Sequence, residues 1–145
     1  MRTIPLTLIP FLLYNAVAFR WFEDLEPVLD QGYNVTPWAA VLINIPLPSG
    51  LVVPLDVATV LLAASLVLLF IEIIKATRTS TLSLVDHSLS LLILVAYLIE
   101  FLSVQEAATP LFLLLMTITF LDVIAGFIIT LSGARRDVVV ASGNS

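Results

Sequence analysis

The chain has 145 residues, 60% of them hydrophobic and 12% charged, against about 45–50% and about 25% in a soluble domain. That composition argues against a water-facing globule, because a domain this small still exposes about a third of its unfolded chain's surface. With 6 basic residues against 11 acidic ones and a net charge of −5 there is no polybasic footprint for nucleic acid. The absence of cysteine removes disulfides, thiolate catalysis, Cys-ligated zinc and iron–sulfur clusters.

A helix needs about 20 mostly apolar residues to cross a hydrocarbon layer of roughly 30 Å, and four stretches qualify. The first runs from about residue 3 to 22. Met1-Arg2 followed by an apolar run and Ala16-Val17-Ala18 has the outline of a signal peptide. The charged region is a single arginine, however, and Pro10 and Asn15 interrupt the apolar run, so a retained and kinked first helix is expected.

An outer segment, 23–50, follows. Phe22, Leu25, Val28 and Leu29 share one face of an amphipathic turn or two lying at the interface, and Gly32 and Asn34 mark a turn. Residues 37–50 are apolar but broken by Pro37, Pro46 and Pro48. They are too short to span, and are read as an interfacial helix with a Pro-rich return in preference to a re-entrant segment.

The second span is placed at about 51–75, the third at about 84–104 and the fourth at about 110–132, where Pro110 suits a helix start and Gly133 a helix stop. A tail, 133–145, closes the chain. Arg2, Lys75, Arg78, Arg135 and Arg136 fall on one side of such a bundle and Arg20 alone on the other, which places both termini in the cytoplasm. Trp21, Tyr33 and Trp38 fall on the outer side, as interfacial aromatics would. The expected fold is therefore an all-α integral membrane protein of the inner (plasma) membrane. It is a single membrane domain of four transmembrane helices, N-in and C-in, with the amphipathic interfacial segment between helices 1 and 2.

Ionisable residues at membrane depth are functional candidates by default, since each costs at least roughly 2.5–3.5 kcal/mol on insertion scales. Glu72 and His87 are equidistant from the turn between spans two and three, so they are expected within reach of an ion pair or hydrogen bond, with Lys75 as a competitor for Glu72; the alternative is that both snorkel to the interface. In span three Ser83, Asp86, Ser90, Ile93, Tyr97 and Glu100 follow spacings of 3 and 4 and form one helix seam, with Leu89, Leu92 and Leu98 turned to lipid. Thr119, Asp122, Gly126, Thr130 and Gly133 make a similar stripe in span four, and Ala58, Ser65 and Glu72 in span two. Close helix packing in lipid requires such stripes of small and polar residues. Asp122 lies nearest mid-span with no basic residue at its level, and is expected as a neutral, hydrogen-bonding carboxyl.

No nucleophile elbow, phosphate loop or paired-histidine motif occurs, and one histidine cannot supply a two-His metal site. No catalytic, cofactor or metal role is assigned, and the chain is read as non-enzymatic. The partners expected are the bilayer and a membrane protein or a second copy. The functional expectation is a small accessory, anchoring or assembly subunit working through helix contacts. The alternative is a small oligomeric transporter or proton- or ion-conducting protein in which Asp122, Glu100, Asp86, Ser90, Tyr97, His87 and Glu72 line the path.

Overall fold

Asp56 is the joint between a strand and the long helix that follows it. Its backbone is extended while its carboxylate accepts the Thr59 N–H at 2.7 Å, an N-cap that satisfies one orphan donor of the following helix. The Thr59 hydroxyl and N–H together hold the Asp56 carboxyl below the usual carboxylate range. The computed structural model describes residues 4–19, 29–30, 32–34, 37–77 and 81–142.

In chain order the elements are α1 (Leu8–Ala18), β1 (Leu29–Asp30), β2 (Tyr33–Asn34), β3 (Val41–Pro46), β4 (Val52–Asp56), α2 (Val57–Ala76), α3 (Thr81–Ser103), a 3₁₀ turn (Gln105–Ala107) and α4 (Pro110–Ser142). The protein is mostly helical. Two helical segments, Val57–Ala76 and Pro110–Ser132, are long and apolar enough to cross a membrane.

The departures from the expected all-α fold have local causes. α1 has 11 residues, about 16 Å of helix, not the span of 3–22. Pro10 sits in its first turn, where a missing N–H removes no intrahelical bond, so it starts the helix and does not kink it. Residues 52–56, read as the head of the second span, are strand β4, paired antiparallel with β3. Pro54 would break a helix interior, whereas Val41, Ile43, Ile45, Val52 and Val53 are β-branched and fit a pleated ribbon. Segment 37–50 is accordingly a β-hairpin arm and loop, not an interfacial helix. Gly50 closes the loop at φ 82, with Gly50 N–H donating to Leu47 O at 2.9 Å and Leu47 N–H to Leu51 O at 2.8 Å.

Two further differences lie at the ends. The expected turn at Gly32 joins the two-residue strands β1 and β2, and the amphipathic stretch at 22–28 lies outside the described residues. Gly133 does not stop α4, which runs on to Ser142. The glycine is unfavourable in a helix interior by about 1 kcal/mol, and the proline-free Ala134-Arg135-Arg136 that follows sustains the helix.

α4 is the common wall, packing against α1, α2 and α3. Around Phe112 an aromatic core gathers. Tyr14 stacks on Trp38 with ring centroids 4.4 Å apart and meets Phe112 edge-on at 4.7 Å, while Tyr97 lies between Phe11 at 4.7 Å and Phe112 at 4.9 Å. Trp38, expected at an interface, is instead 6% exposed in this core.

Candidate functional site among the helices

The polar seams of the three long helices are turned inward. Ser90, Tyr97, Thr119, Asp122, Ser65 and Glu72 are all buried, and Gly126 with them. Leu92, 64% exposed, Leu98 and Phe70 are turned outward; Leu89 is half-buried. Buried polar groups beside so many exposed aliphatic ones are uncommon in a soluble protein.

Ser90 on α3 donates its hydroxyl to Asp122 Oδ2 on α4 at 2.9 Å. The two residues are 2% and 4% exposed, so the bond is made away from water. Glu72, His87 and Lys75 all lie near enough to act electrostatically on Asp122. His87 lies against Gly126, where an added Cβ would collide with the imidazole.

Glu72 is held at the last turn of α2. Its Oε1 accepts Lys75 Nζ at 3.0 Å and its Oε2 the Leu6 N–H at 3.2 Å, while Lys75 also donates to Ile4 O at 3.3 Å. Lys75, the expected competitor, thus holds Glu72, and the pair ties the turn before α1 to the end of α2. That α1 terminus supplies the second partner, which residue spacing on α2 and α3 alone does not disclose.

The opposite end of α1 carries a second network. Phe112 N–H donates to Thr109 Oγ1 at 3.2 Å, Thr109 and Tyr14 hydroxyls meet at 2.7 Å, and Tyr14 donates to Glu106 O at 2.8 Å. Thr109 is thereby both the cap of α4 and the latch of α1. One residue beyond Tyr14 along α1, Asn15 Nδ2 donates to Phe11 O at 3.0 Å and to Glu100 Oε2 at 3.2 Å. Among the described residues, Thr7 Oγ1, Glu100 Oε1 and the Tyr97 hydroxyl are buried with no partner in hydrogen-bonding geometry. Tyr14, Asn15 and Thr109 were not singled out by spacing. Asn15, a carboxamide inside an apolar run, and the Thr-Pro pair at 109–110 were the available signals.

Five further hydroxyls bond within their own helices. Ser65 donates to Leu61 O at 2.6 Å, Thr117 to Leu113 O at 2.8 Å, Thr119 to Leu115 O at 3.1 Å, Thr130 to Gly126 O at 2.9 Å and Ser132 to Ile128 O at 2.8 Å. Ser83, Asp86 and Gly133 belong to the expected stripes, but their side-chain positions lie outside the described residues. Among the described residues no group of three or more His, Asp or Glu could hold a metal ion.

The fold and these sites define a class: a mostly helical protein with two helices fit to cross a membrane and its polar side chains gathered between helices. Compared with models of protein families, with curated proteins and with solved structures, the chain matches none.

Proposed function

We propose that the chain is a multi-pass protein of the inner membrane, four helices in one bundle with both termini cytoplasmic, serving as an accessory, anchoring or assembly subunit for a membrane-protein partner or a second copy. The observation that carries this reading is the sealed Ser90–Asp122 bond. Its carboxyl is used between helices, and the long helices present Leu66, Val67, Phe70, Leu92, Ile99, Leu102 and Phe127 outward. Polar groups paired between helices and an aliphatic and aromatic exterior support a role through helix–helix contact. Support for the orientation comes from the Lys and Arg bias, and support for a first crossing from α1 reaching from the end of α2 at Glu72 to the start of α4 at Thr109.

Two experiments test it. An alkaline phosphatase fusion after Ser145 should be inactive, and strong activity would reverse the topology. Native mass spectrometry from membrane vesicles should find the chain bound to another membrane protein or to itself; a monomer throughout would sink the subunit reading.

One observation favours the transporter alternative. The partnerless Glu100 Oε1 and Tyr97 hydroxyl are what a file of water would satisfy. Under that reading Glu100→Gln and Asp122→Asn abolish proton or cation flux in proteoliposomes while the protein stays folded.

A further inference from the structure

The β3–β4 hairpin is apolar and unshielded on both faces. Val41, Leu42, Ile43, Ile45, Leu47, Leu51, Val52 and Val53 are all exposed, a run of open aliphatic surface of the kind that marks an interaction site. A two-stranded ribbon is marginal by itself, so this one needs a covering.

Three features say what covers it. First, its edges resist strand addition. The Leu47–Leu51 bond closes the ladder, and with the register Pro46↔Val52, Ile45↔Val53, Asn44↔Pro54 the alternation of antiparallel pairs turns the nitrogens of Pro46 and Pro54 to the outer edges. Each edge therefore lacks a donor where another strand would need one.

Second, its composition is not that of a protein interface. Such interfaces concentrate aromatic residues, Met and Arg around a buried anchor and keep a polar rim. From Ala39 to Leu55 there is no aromatic, no Met and no charge; the polar side chains are Asn44 and Ser49.

Third, its seat is continuous with the apolar wall of α2. Val57 N–H donates to Ala40 O and Ala58 N–H to Trp38 O, both at 3.0 Å, so the hairpin is bonded to the first turn of a helix whose outer face is Leu66, Val67 and Phe70. It stands at the level where that helix would leave the hydrocarbon.

We infer that the β3–β4 hairpin lies on the membrane itself, its aliphatic side chains in the headgroup–acyl boundary of the outer leaflet and its open edges in the hydrated headgroups. Hydrocarbon depth is closed to it, because unpaired edge groups find no partner there. The inference rests on the membrane-spanning reading of α2.

The chain has no cysteine, so the full-length protein takes single ones cleanly. Leu42→Cys, Val52→Cys and Leu66→Cys are labelled with an environment-sensitive fluorophore and reconstituted in phosphatidylcholine vesicles carrying a nitroxide at a shallow or a deep acyl position. The two hairpin labels should be quenched at least twofold more by the shallow nitroxide, and Leu66→Cys by the deep one. Quenching at Leu66→Cys with none on the hairpin overturns the inference and leaves the span intact. Hairpin labels that are shielded from water yet unquenched, and become wet as lipid is added at fixed protein, assign the face to a second copy and overturn it too. No quenching at Leu66→Cys removes the spanning reading, and the inference with it. Val53→Asp should abolish shallow quenching at Leu42→Cys while leaving Leu66→Cys unchanged. If that variant fails to insert, Leu51→Ser in the loop makes the same comparison, and undiminished quenching in it counts against the hairpin's contact with lipid.

Discussion

Ser90 and Asp122, 32 residues apart in the chain, form a buried side-chain hydrogen bond of 2.9 Å that joins α3 to α4. Because neither residue meets solvent, this bond sets the register of the two helices. Its strength follows the scale of interhelical bonds in apolar surroundings, about 0.6 to 1.7 kcal/mol.

Ser90→Ala is expected to lower stability by about that amount, read from unfolding in mixed micelles. Asp122→Asn, which keeps an acceptor for the Ser90 hydroxyl, should stay close to wild type, and Asp122→Leu should lose at least as much as Ser90→Ala. The double variant with Ser90→Ala and Asp122→Leu should be no worse than Asp122→Leu alone. Strict additivity of the two losses would mean that the residues do not act on each other.

Gly126 faces the His87 imidazole with no room for a Cβ. Gly126→Ala would gain about 1 kcal/mol of helix propensity, yet overpacking of this kind costs about 1–3 kcal/mol, and a net loss is expected. Placing His87→Ala in the same chain should restore the midpoint and let the propensity gain appear. Should Gly126→Ala alone be stabilising, the two helices are not in contact at that level.

Tyr14→Phe keeps the stack on Trp38 but removes the hydroxyl that Thr109 and Glu106 O share. A loss of about 1–2 kcal/mol is expected, as for a buried hydrogen bond left half-made. Thr109→Ala should be worse than Tyr14→Phe, since it also removes the cap of α4, worth about 0.5–2 kcal/mol. Equal effects in thermal unfolding would show that Thr109 works only as a latch.

Asp56 gives a pH signature. Its folded carboxyl titrates below the ordinary range because Thr59 bonds the charged form. The cap therefore contributes fully above about pH 4, where an unfolded Asp is ionised, and fades as pH falls through the lower folded value. Asp56→Ala should weaken the fold by about 0.5–1 kcal/mol at neutral pH, the low end for an exposed cap, and the gap to wild type should close in acid. A gap independent of pH would assign the effect to backbone preference and not to the carboxylate.

What spacing reveals and what it hides follow from the same chemistry. The stripes at Ser65 and Glu72, at Ser90 and Tyr97, and at Thr119, Asp122 and Gly126 were legible, because a polar group in an apolar helix has to turn toward other helices and the 3–4 spacing says which groups turn together. Hydropathy could not separate β4 from α2: Leu51-Val52-Val53 is as apolar as the helix after it, and the discriminating signals were Pro54 and the capping Asp56. The Tyr14–Trp38–Phe112 core was invisible for a different reason. Those rings come from three distant segments, and nothing local ties Tyr14 to a threonine 95 positions away.

The hydroxyls of α4 have a bearing on how the protein is made. Thr117, Thr119, Thr130 and Ser132 return their protons to carbonyls one turn back, so the helix can enter an apolar phase alone, owing nothing to a neighbour for those four groups. Asp122 differs, since its hydroxyl partner is carried by α3. During synthesis α3 precedes α4, so Ser90 is made before Asp122. In the membrane-spanning reading, the acid therefore ties the placement of α4 to that of α3.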